Sequence, residues 1–300
     1  MSILVEVCPL CGGRNQTPFE SGEDAGQQLH YRLCETCGLV FQSPRMSEEE
    51  LAAFYASGYR QTVQGSEAPT DKDLRIQAGR ARHLVEFCRG RLGAVTYHLD
   101  VGSSSGALLR AFAGASGCQC MGIEPGEAYR AASLAQGMQV APRLEDLPPT
   151  AGKAFDLVSI IHALEHIPDP VAYLTRLRET WMAPGGVLLI ETPNLFGHRA
   201  IELAHLVAYS PRTLRQTLEA AGFRVLKTKT HGVPRSPVLR LYLTVLAQAL
   251  PPGLPVRQPR FRAAGVRRRR QWGLWVLETL TEKLPNWAWR ELPEAEEPAR

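Results

Sequence analysis

The chain has 300 residues, 44% of them hydrophobic, and a formal net charge of +4. That is enough apolar material for one large core plus a small appendage, and the charge is too mild to name a nucleic acid or a membrane as partner by itself. No apolar run reaches the roughly 18 residues a membrane span needs, and Met1–Val7 is too short for a secretory segment, so a cytoplasmic protein without a transmembrane segment is expected.

Four blocks follow in chain order. The first, 1–45, holds two cysteine pairs and little hydrophobic periodicity. The second, 46–93, reads as a helical lid: Ser47 with Glu50 three residues on is a capping box, and Leu74, Ala78, Ala81, Leu84, Val85 and Cys88 recur at helical spacing. A polar linker, 61–73, separates its helices. The third, 94–235, alternates strands and helices. Strands are predicted at Val95–Val101, Cys118–Ile123, Met138–Ala141, Phe155–Ile161, Val187–Glu191 and Phe223–Lys229. Phe155–Ile161 is continuously apolar, as expected when both faces are buried. Ser210 caps a helix that has Pro211 at its first position and Gly222 at its end. Repeated β-α units with short links mean a doubly wound, mostly parallel sheet. The fourth block, 236–300, reads as a helical extension, with Val238–Leu250 apolar and helical, Gly273–Leu284 amphipathic, and an acidic tail expected to be disordered.

Cysteines number seven. With no export signal, a disulfide scaffold is not the reading. Cys88, Cys118 and Cys120 lie in apolar patterns and read as small core residues. The other four are paired: Cys8-Pro-Leu-Cys11-Gly and Cys34-Glu-Thr-Cys37-Gly. Each turn aims two thiolates at one point, and two turns supply the closed tetrahedral sulfur set of structural zinc. Such a site has no open position for chemistry. Its role is to fold a segment too small to bury a core. Two redox dithiols are the alternative.

The first strand of the third block runs into Asp100-Val101-Gly102-Ser103-Ser104-Ser105-Gly106 and then a helix. Glycines there allow a sharp turn and bare backbone against a ligand, at the carboxyl ends of the strands, where doubly wound sheets bind ligands. Glu124 ends the second strand and can accept hydrogen bonds from two ribose hydroxyls. A dinucleotide enzyme shares this plan. Against it, Ser104 stands where a phosphate loop favours glycine, and Asp100 would repel a pyrophosphate while suiting a ligand with an ammonium and a sulfonium.

Together these motifs resemble class I S-adenosylmethionine-dependent methyltransferases, and in particular a subgroup with an N-terminal four-cysteine segment. Leu99–Gly106 resembles the family's glycine-rich cofactor motif, with Asp100, Gly102, Ser104 and Gly106 in it, and Glu124 falls at its ribose-binding acid. Leu144-Glu145-Asp146-Leu147 resembles the segment beside adenine, which brings Glu145 and Asp146 to the cofactor. His162-Ala-Leu-Glu-His166-Ile-Pro-Asp-Pro, Leu189–Asn194 and His205–Pro211 resemble the subgroup's later motifs. The departures are Ser104, where glycine is usual, and the absence of a clear seventh strand, for which Trp287–Leu292 is the candidate. The resemblance implies S-adenosylmethionine as cofactor, a seven-stranded Rossmann-like sheet and a small-molecule acceptor such as a sugar, nucleotide-sugar or lipid-linked precursor, methylated on a hydroxyl or a carbon.

Such an acceptor needs its proton removed, and histidine titrates near working pH. His162 and His166 follow the fourth strand, where the methyl end of the cofactor is expected. His205 follows the fifth, where a substrate lid would lie, and ranks first as base. His162 is also expected to contact the cofactor. Tyr55 and Tyr59 are candidates to cover the pocket. Seven arginines between 257 and 270, with no acid among them, leave three readings: a solvated loop, contact of 238–284 with an anionic membrane face, or nucleic acid, which the segment's small aromatic surface disfavours. Two other functions stay open, an RNA methyltransferase gripping phosphates through the cysteine segment and the arginines, and a non-catalytic cofactor-binding module.

Overall fold

In the computed structural model, residues 2–57, 65–147, 154–199, 202–251, 259 and 263–290 are described. Tyr59, residues 61–64 of the 61–73 linker, Arg257, Arg260, Arg262 and the acidic tail lie outside them.

The central sheet has seven strands. In chain order they are β4 (Tyr97–Val101), β5 (Gln119–Ile123), β6 (Gln139–Ala141), β7 (Phe155–Ile161), β8 (Met182–Pro193), β10 (Phe223–His231) and β11 (Tyr242–Ala249). Their spatial order is β10-β11-β8-β7-β4-β5-β6. Pairs among β6, β5, β4, β7 and β8 are parallel, and β11 runs antiparallel to both neighbours. This is a doubly wound sheet whose order reverses at β4, with the crevice of a topological switch point between β4 and β7. All five residues of β4 are buried. In β7, Leu157, Val158 and Ile160 are fully inaccessible, and each such side chain contributes roughly 1.5–3 kcal/mol by leaving water.

Two corrections follow at the C-terminal side. Residues 238–250 are not helical: Tyr242–Ala249 is a strand, and it is the seventh strand that 287–292 was a candidate for. Pro285–Ala288 is instead one helical turn. The core sheet therefore extends beyond residue 235. An apolar run buried on both sides has no period to tell helix from strand, and seven of the eight residues of β11 are buried.

Helices α1 (Glu48–Ser57), α2 (Asp71–Cys88), α3 (Ala107–Ser116), α4 (Glu127–Ala135), α5 (Pro170–Thr180) and α6 (Pro211–Ala220) precede α7 (Val266–Lys283) and the turn α8 (Pro285–Ala288). Their starts follow the sequence signals. Ser47 and Glu50 exchange hydrogen bonds at α1, Thr70 and Asp73 form a second capping box at α2, and Ser210 caps α6 ahead of Pro211, each satisfying amides the helix leaves unpaired.

A second sheet of four strands, β1 (Gln16–Asp24), β2 (Gln27–Cys34), β3 (Val40–Gln42) and β9 (Val207–Ala208), is ordered β1-β2-β3-β9. Its first three strands come from the cysteine segment and its fourth from the loop after β8. Val40 faces Ala208 and Phe41 faces Val207 across that join. Helix α7 closes over the same unit. Arg270, 5% exposed, binds Glu20 at 3.0 Å and donates to the Leu195 and His198 carbonyls. Arg267 donates to Thr17 Oγ1 and to the Pro18 carbonyl. Two of the seven arginines thus clamp the N-terminal hairpin, which excludes a uniformly solvated loop for this stretch.

Candidate active site

The four cysteines converge. Their sulfurs all lie within 4.8 Å of one another, with Cys8 to Cys37 at 3.5 Å and Cys11 to Cys34 at 3.6 Å. Tetrahedral zinc with Zn–S bonds of about 2.3 Å sets sulfurs about 3.8 Å apart. Gly12 and Gly38 take positive φ, and their amides donate to the Cys8 and Cys34 carbonyls, so each pair is closed by a tight turn. Hydrogen bonding to Cys37 and Cys8 holds the Cys34 thiol far below its usual range, and hydrogen bonding to Cys34, with burial, pushes Cys8 and Cys37 upward. Four sulfurs at these separations are the closed donor set of a structural divalent metal, so the residues fit zinc. Cys118 and Cys88 are buried, as expected of core residues, and Cys120 is half-buried.

The principal cavity, of about 590 Å³, opens at the switch point, in the size range of small-molecule sites. Asp100, Gly102, Ser104, Glu124, Glu145 and His162 all line it. Gly102 and Gly106 take positive φ, and so does Ser104 at 51°, a left-handed backbone that favours glycine. The conformation usual for glycine is thus kept at Ser104. The loop uses this residue's backbone, since its amide donates to Glu124 Oε2 at 2.8 Å. The other oxygen of Glu124 accepts from the Gly126 amide at 2.9 Å. Both carbonyl-side loops are therefore gathered on one buried carboxylate, 3% exposed. Gly106 does not line the cavity. It turns the chain into α3, and a Cβ there would collide with the Ser133 hydroxyl. Asp146 also stands apart, in an exposed ion pair with Arg143 at 2.9 Å, while its neighbour Glu145 lines the cavity and meets Arg176 at 3.3 Å.

Asp100 is 2% exposed. It accepts from the Ser159 hydroxyl, and no ion pair reaches it among the described residues. Burial, with Glu124 adding to it against the Ser159 hydrogen bond, pushes its carboxyl up to about 7. A buried acid without a cation is suited to a cationic ligand.

The three histidines separate in role. His205 does not line the cavity, contrary to its first rank as base. It sits behind His166, ring centroids 5.1 Å apart, with Nε2 3.2 Å from Glu202, and burial pushes it down to about 3. His162 lines the cavity at φ +52°, held between Glu191, 3.2 Å from Nε2, and Glu165, 3.5 Å from Nδ1. Burial and Arg80 lower its pKa, but these carboxylates outweigh them and raise it, which favours the charged ring. His166 also lines the cavity. Its Nδ1–H donates to the Ala204 carbonyl at 2.8 Å, which makes Nε2 the basic nitrogen. Burial lowers its pKa, so the ring is neutral and able to take a proton. Tyr55 stands edge-on to it at 5.8 Å and lines the same cavity.

Sequence reasoning missed the contribution of α2. Asp73, Gln77 and Arg80 line the cavity. Gln77 accepts from the Ser105 amide and hydroxyl, and Arg80 pairs with buried Glu191 at 2.9 Å while lying 5.0 Å over the Tyr242 ring. Positions 73, 77 and 80 form a polar stripe at helical spacing beside the apolar one, and that stripe was the available signal.

This strand order and crevice define the class I methyltransferase architecture. Residues 74–228 match the methyltransferase-domain family, more than half of the chain, and the chain belongs to that family. Among curated proteins, the ubiquinone biosynthesis O-methyltransferase of Escherichia fergusonii is 31% identical over 162 residues, 52% of this chain and 65% of that protein. Its namesake from Psychrobacter arcticus is 37% identical over 105 residues, 32% of this chain and 40% of that protein. The chain thus spans less than two-thirds of the length of these relatives. Among solved structures, the CcbJ methyltransferase of Streptomyces caelestis aligns at 13% identity with a TM-score of 0.47, covering 67% of this chain and 96% of that one. A SAM-dependent methyltransferase from Aquifex aeolicus aligns at 18% with a TM-score of 0.46, covering 60% and 95%.

Proposed function

We propose that the protein transfers the methyl group of S-adenosylmethionine to a hydroxyl, or a carbon, of a small-molecule acceptor. The observation that carries this reading is that one cavity joins Asp100, Gly102 and Glu124 to His166. Glu124 is suited to the ribose hydroxyls, the bare backbone at Gly102 to close approach of the adenosyl group, and Asp100 to the ammonium end. Bound there, S-adenosylmethionine supplies an already activated methyl. The chain's task is to hold the acceptor oxygen about 3–3.5 Å from that carbon and in line with it. With the cofactor bound, His166 Nε2 would take the proton of the acceptor hydroxyl as that oxygen accepts the methyl group. His162, held between Glu165 and Glu191, orients the loop and the acceptor's polar groups together with Arg80.

A hydroxyl acceptor is supported by relatives named as O-methyltransferases. A sugar, nucleotide-sugar or lipid-linked acceptor rests on the family likeness of the His162–Pro170 and Leu189–Asn194 motifs. In this reading Cys8, Cys11, Cys34 and Cys37 hold structural zinc, and the metal takes no part in the reaction. Isothermal titration with S-adenosylmethionine tests the cofactor half. The expected result is saturable heat that Glu124→Ala weakens at least tenfold through loss of a buried carboxylate's hydrogen bonds, about 1.5–3 kcal/mol for charged partners. Absence of heat at sub-millimolar protein, or an unaffected Glu124→Ala, overturns it. A labelled-methyl assay on cell extract then identifies the acceptor.

A further inference from the structure

Helix α7 has two unlike faces. Inward lie Arg270 and Leu277, 5% and 7% exposed, with Gly273 pressed so close to Phe196 that a Cβ would strike its carbonyl oxygen. Outward lie Arg268, Trp272 and Trp275, at i, i+4 and i+7, which is one stripe of an α-helix. Trp272 is 67% exposed and Trp275 60%. Trp287 and Trp289 follow, at 54% and 37%, so four of the chain's five tryptophans stand at the surface of its last described thirty residues. Nothing in the methyl-transfer reading uses them.

Beside Trp272 opens a second cavity of about 550 Å³. Val238, Leu239, Val276, Leu277 and Leu280 line its apolar part. Its charged lining residues are Arg212, Arg240 and Arg269, with no acid among the lining residues. A largely apolar trough whose charged lining residues are all cations matches an amphiphile with a hydrocarbon chain and an anionic head. Tryptophan, apolar in its body and polar at its ring nitrogen, is enriched at the boundary between headgroups and acyl chains, and large exposed apolar patches mark interaction sites.

We propose that the outward face of α7 docks the protein on an anionic bilayer, with Trp272 and Trp275 in the interfacial layer and one acyl chain entering the neighbouring trough, its phosphate at the three arginines. A bilayer fits better than RNA, because Arg212, Arg240 and Arg269 share their trough with Val238, Leu239, Val276, Leu277 and Leu280, aliphatic side chains that take a hydrocarbon chain and offer no face for a base to stack on. It fits better than a solvated face, because the tryptophans gain from leaving water. Buried Arg270 and exposed Arg267, both bonded to the N-terminal hairpin, hold the docking helix to the body and take no part.

The test is co-sedimentation of the full chain, without cofactor, with phosphatidylcholine vesicles and with vesicles that also contain phosphatidylglycerol. Binding is expected on the anionic vesicles only, weakening as salt rises, with a blue shift of tryptophan emission. Arg240→Gln and Arg269→Gln should each weaken it about fivefold, the equivalent of about 1 kcal/mol per surface cation. Trp272→Ala with Trp275→Ala should abolish most of the binding and leave S-adenosylmethionine affinity as in the parent protein, which separates loss of docking from loss of fold. No pelleting with anionic vesicles, equal pelleting with neutral ones, or undiminished binding of the tryptophan variant overturns the proposal. None of these results depends on methyl transfer.

Discussion

If Asp100 receives the cationic end of S-adenosylmethionine, cofactor binding must be linked to loss of one proton. Burial pushes this carboxyl up to about 7 in the free protein, so at pH 6 about a tenth of molecules carry the carboxylate and at pH 7.5 most of them do. Affinity should therefore rise several-fold between these values, the equivalent of about 1 kcal/mol, and level off above them. The stability of the free fold moves the other way. Because the folded-state pKa lies above the ordinary 3.8, the folded chain holds this proton more tightly than the unfolded chain. The contribution is complete below about pH 4 and is lost as pH rises through 7, on the order of 4 kcal/mol in all. Titration calorimetry at the two pH values measures the first effect. Adenosine, which lacks the ammonium and sulfonium, serves as control and should bind with little pH dependence. Asp100→Asn should bind S-adenosylmethionine more weakly and flatten the profile, and whatever slope survives reports His162, whose pKa is also raised. Equal affinity of the parent protein at pH 6 and 7.5, or the same slope with adenosine, refutes the assignment of Asp100.

Ser104→Gly should raise stability by about 0.5–1 kcal/mol, because a side chain at φ 51° costs roughly 1–2 kcal/mol and glycine's extra unfolded-state freedom cancels about 0.5–1 of it. Thermal unfolding reads this as a rise in Tm, and a fall would mean that the serine side chain holds the loop. His166→Gln should slow methyl transfer by about 10²–10⁴ with little change in S-adenosylmethionine affinity. His205→Gln, away from the cavity, should slow it far less, and the reverse order in single-turnover rates would restore His205 as the base.

Much of the site was legible in the sequence because it is made of local signals. The turn after Asp100, the acid at the end of β5 and the paired Cys-x-x-Cys-Gly turns each fit within nine residues, and each needs its residue types at fixed spacing. What escaped is long-range. His205 and His166 both follow strands that end at the crevice, and only the return of the chain at 202–209 decides which ring faces inward. Tyr242–Ala249 enters the sheet between the preceding strand β10 and the more distant β8, and its nearly uniform burial erased the alternation that marks a strand. Asp146 and Glu145 are neighbours, and sequence cannot say which of them turns to the cavity. Of the consecutive arginines 267–270, Arg270 finds Glu20 and Arg267 finds Thr17, partners some 250 positions away.

The cysteine unit and the reacting loop meet along one strip of chain. On one side of residues 202–209, Gln42 donates its amide to the Leu206 carbonyl at 2.9 Å, and Tyr31 donates its hydroxyl to the His205 and Glu202 carbonyls. On the other side, Leu206 donates to the Glu165 carbonyl at 2.9 Å, and Ala204 accepts from His166 Nδ1. That last bond sets which nitrogen of His166 is basic. The glycine loop and Glu124 are positioned instead by β4, β5 and Gln77, with no element of the cysteine unit between them. Loosening the cysteine unit should therefore damage proton removal before it damages cofactor binding. Treatment with a chelator, or replacing Cys11 by Ser, is expected to lower kcat by a factor within the 10²–10⁴ that a positioned base contributes, while S-adenosylmethionine affinity changes little. Metal analysis of the untreated protein should return one zinc per chain. A parallel collapse of rate and affinity would mean that the cysteine unit supports the whole fold and not the strip that aims His166.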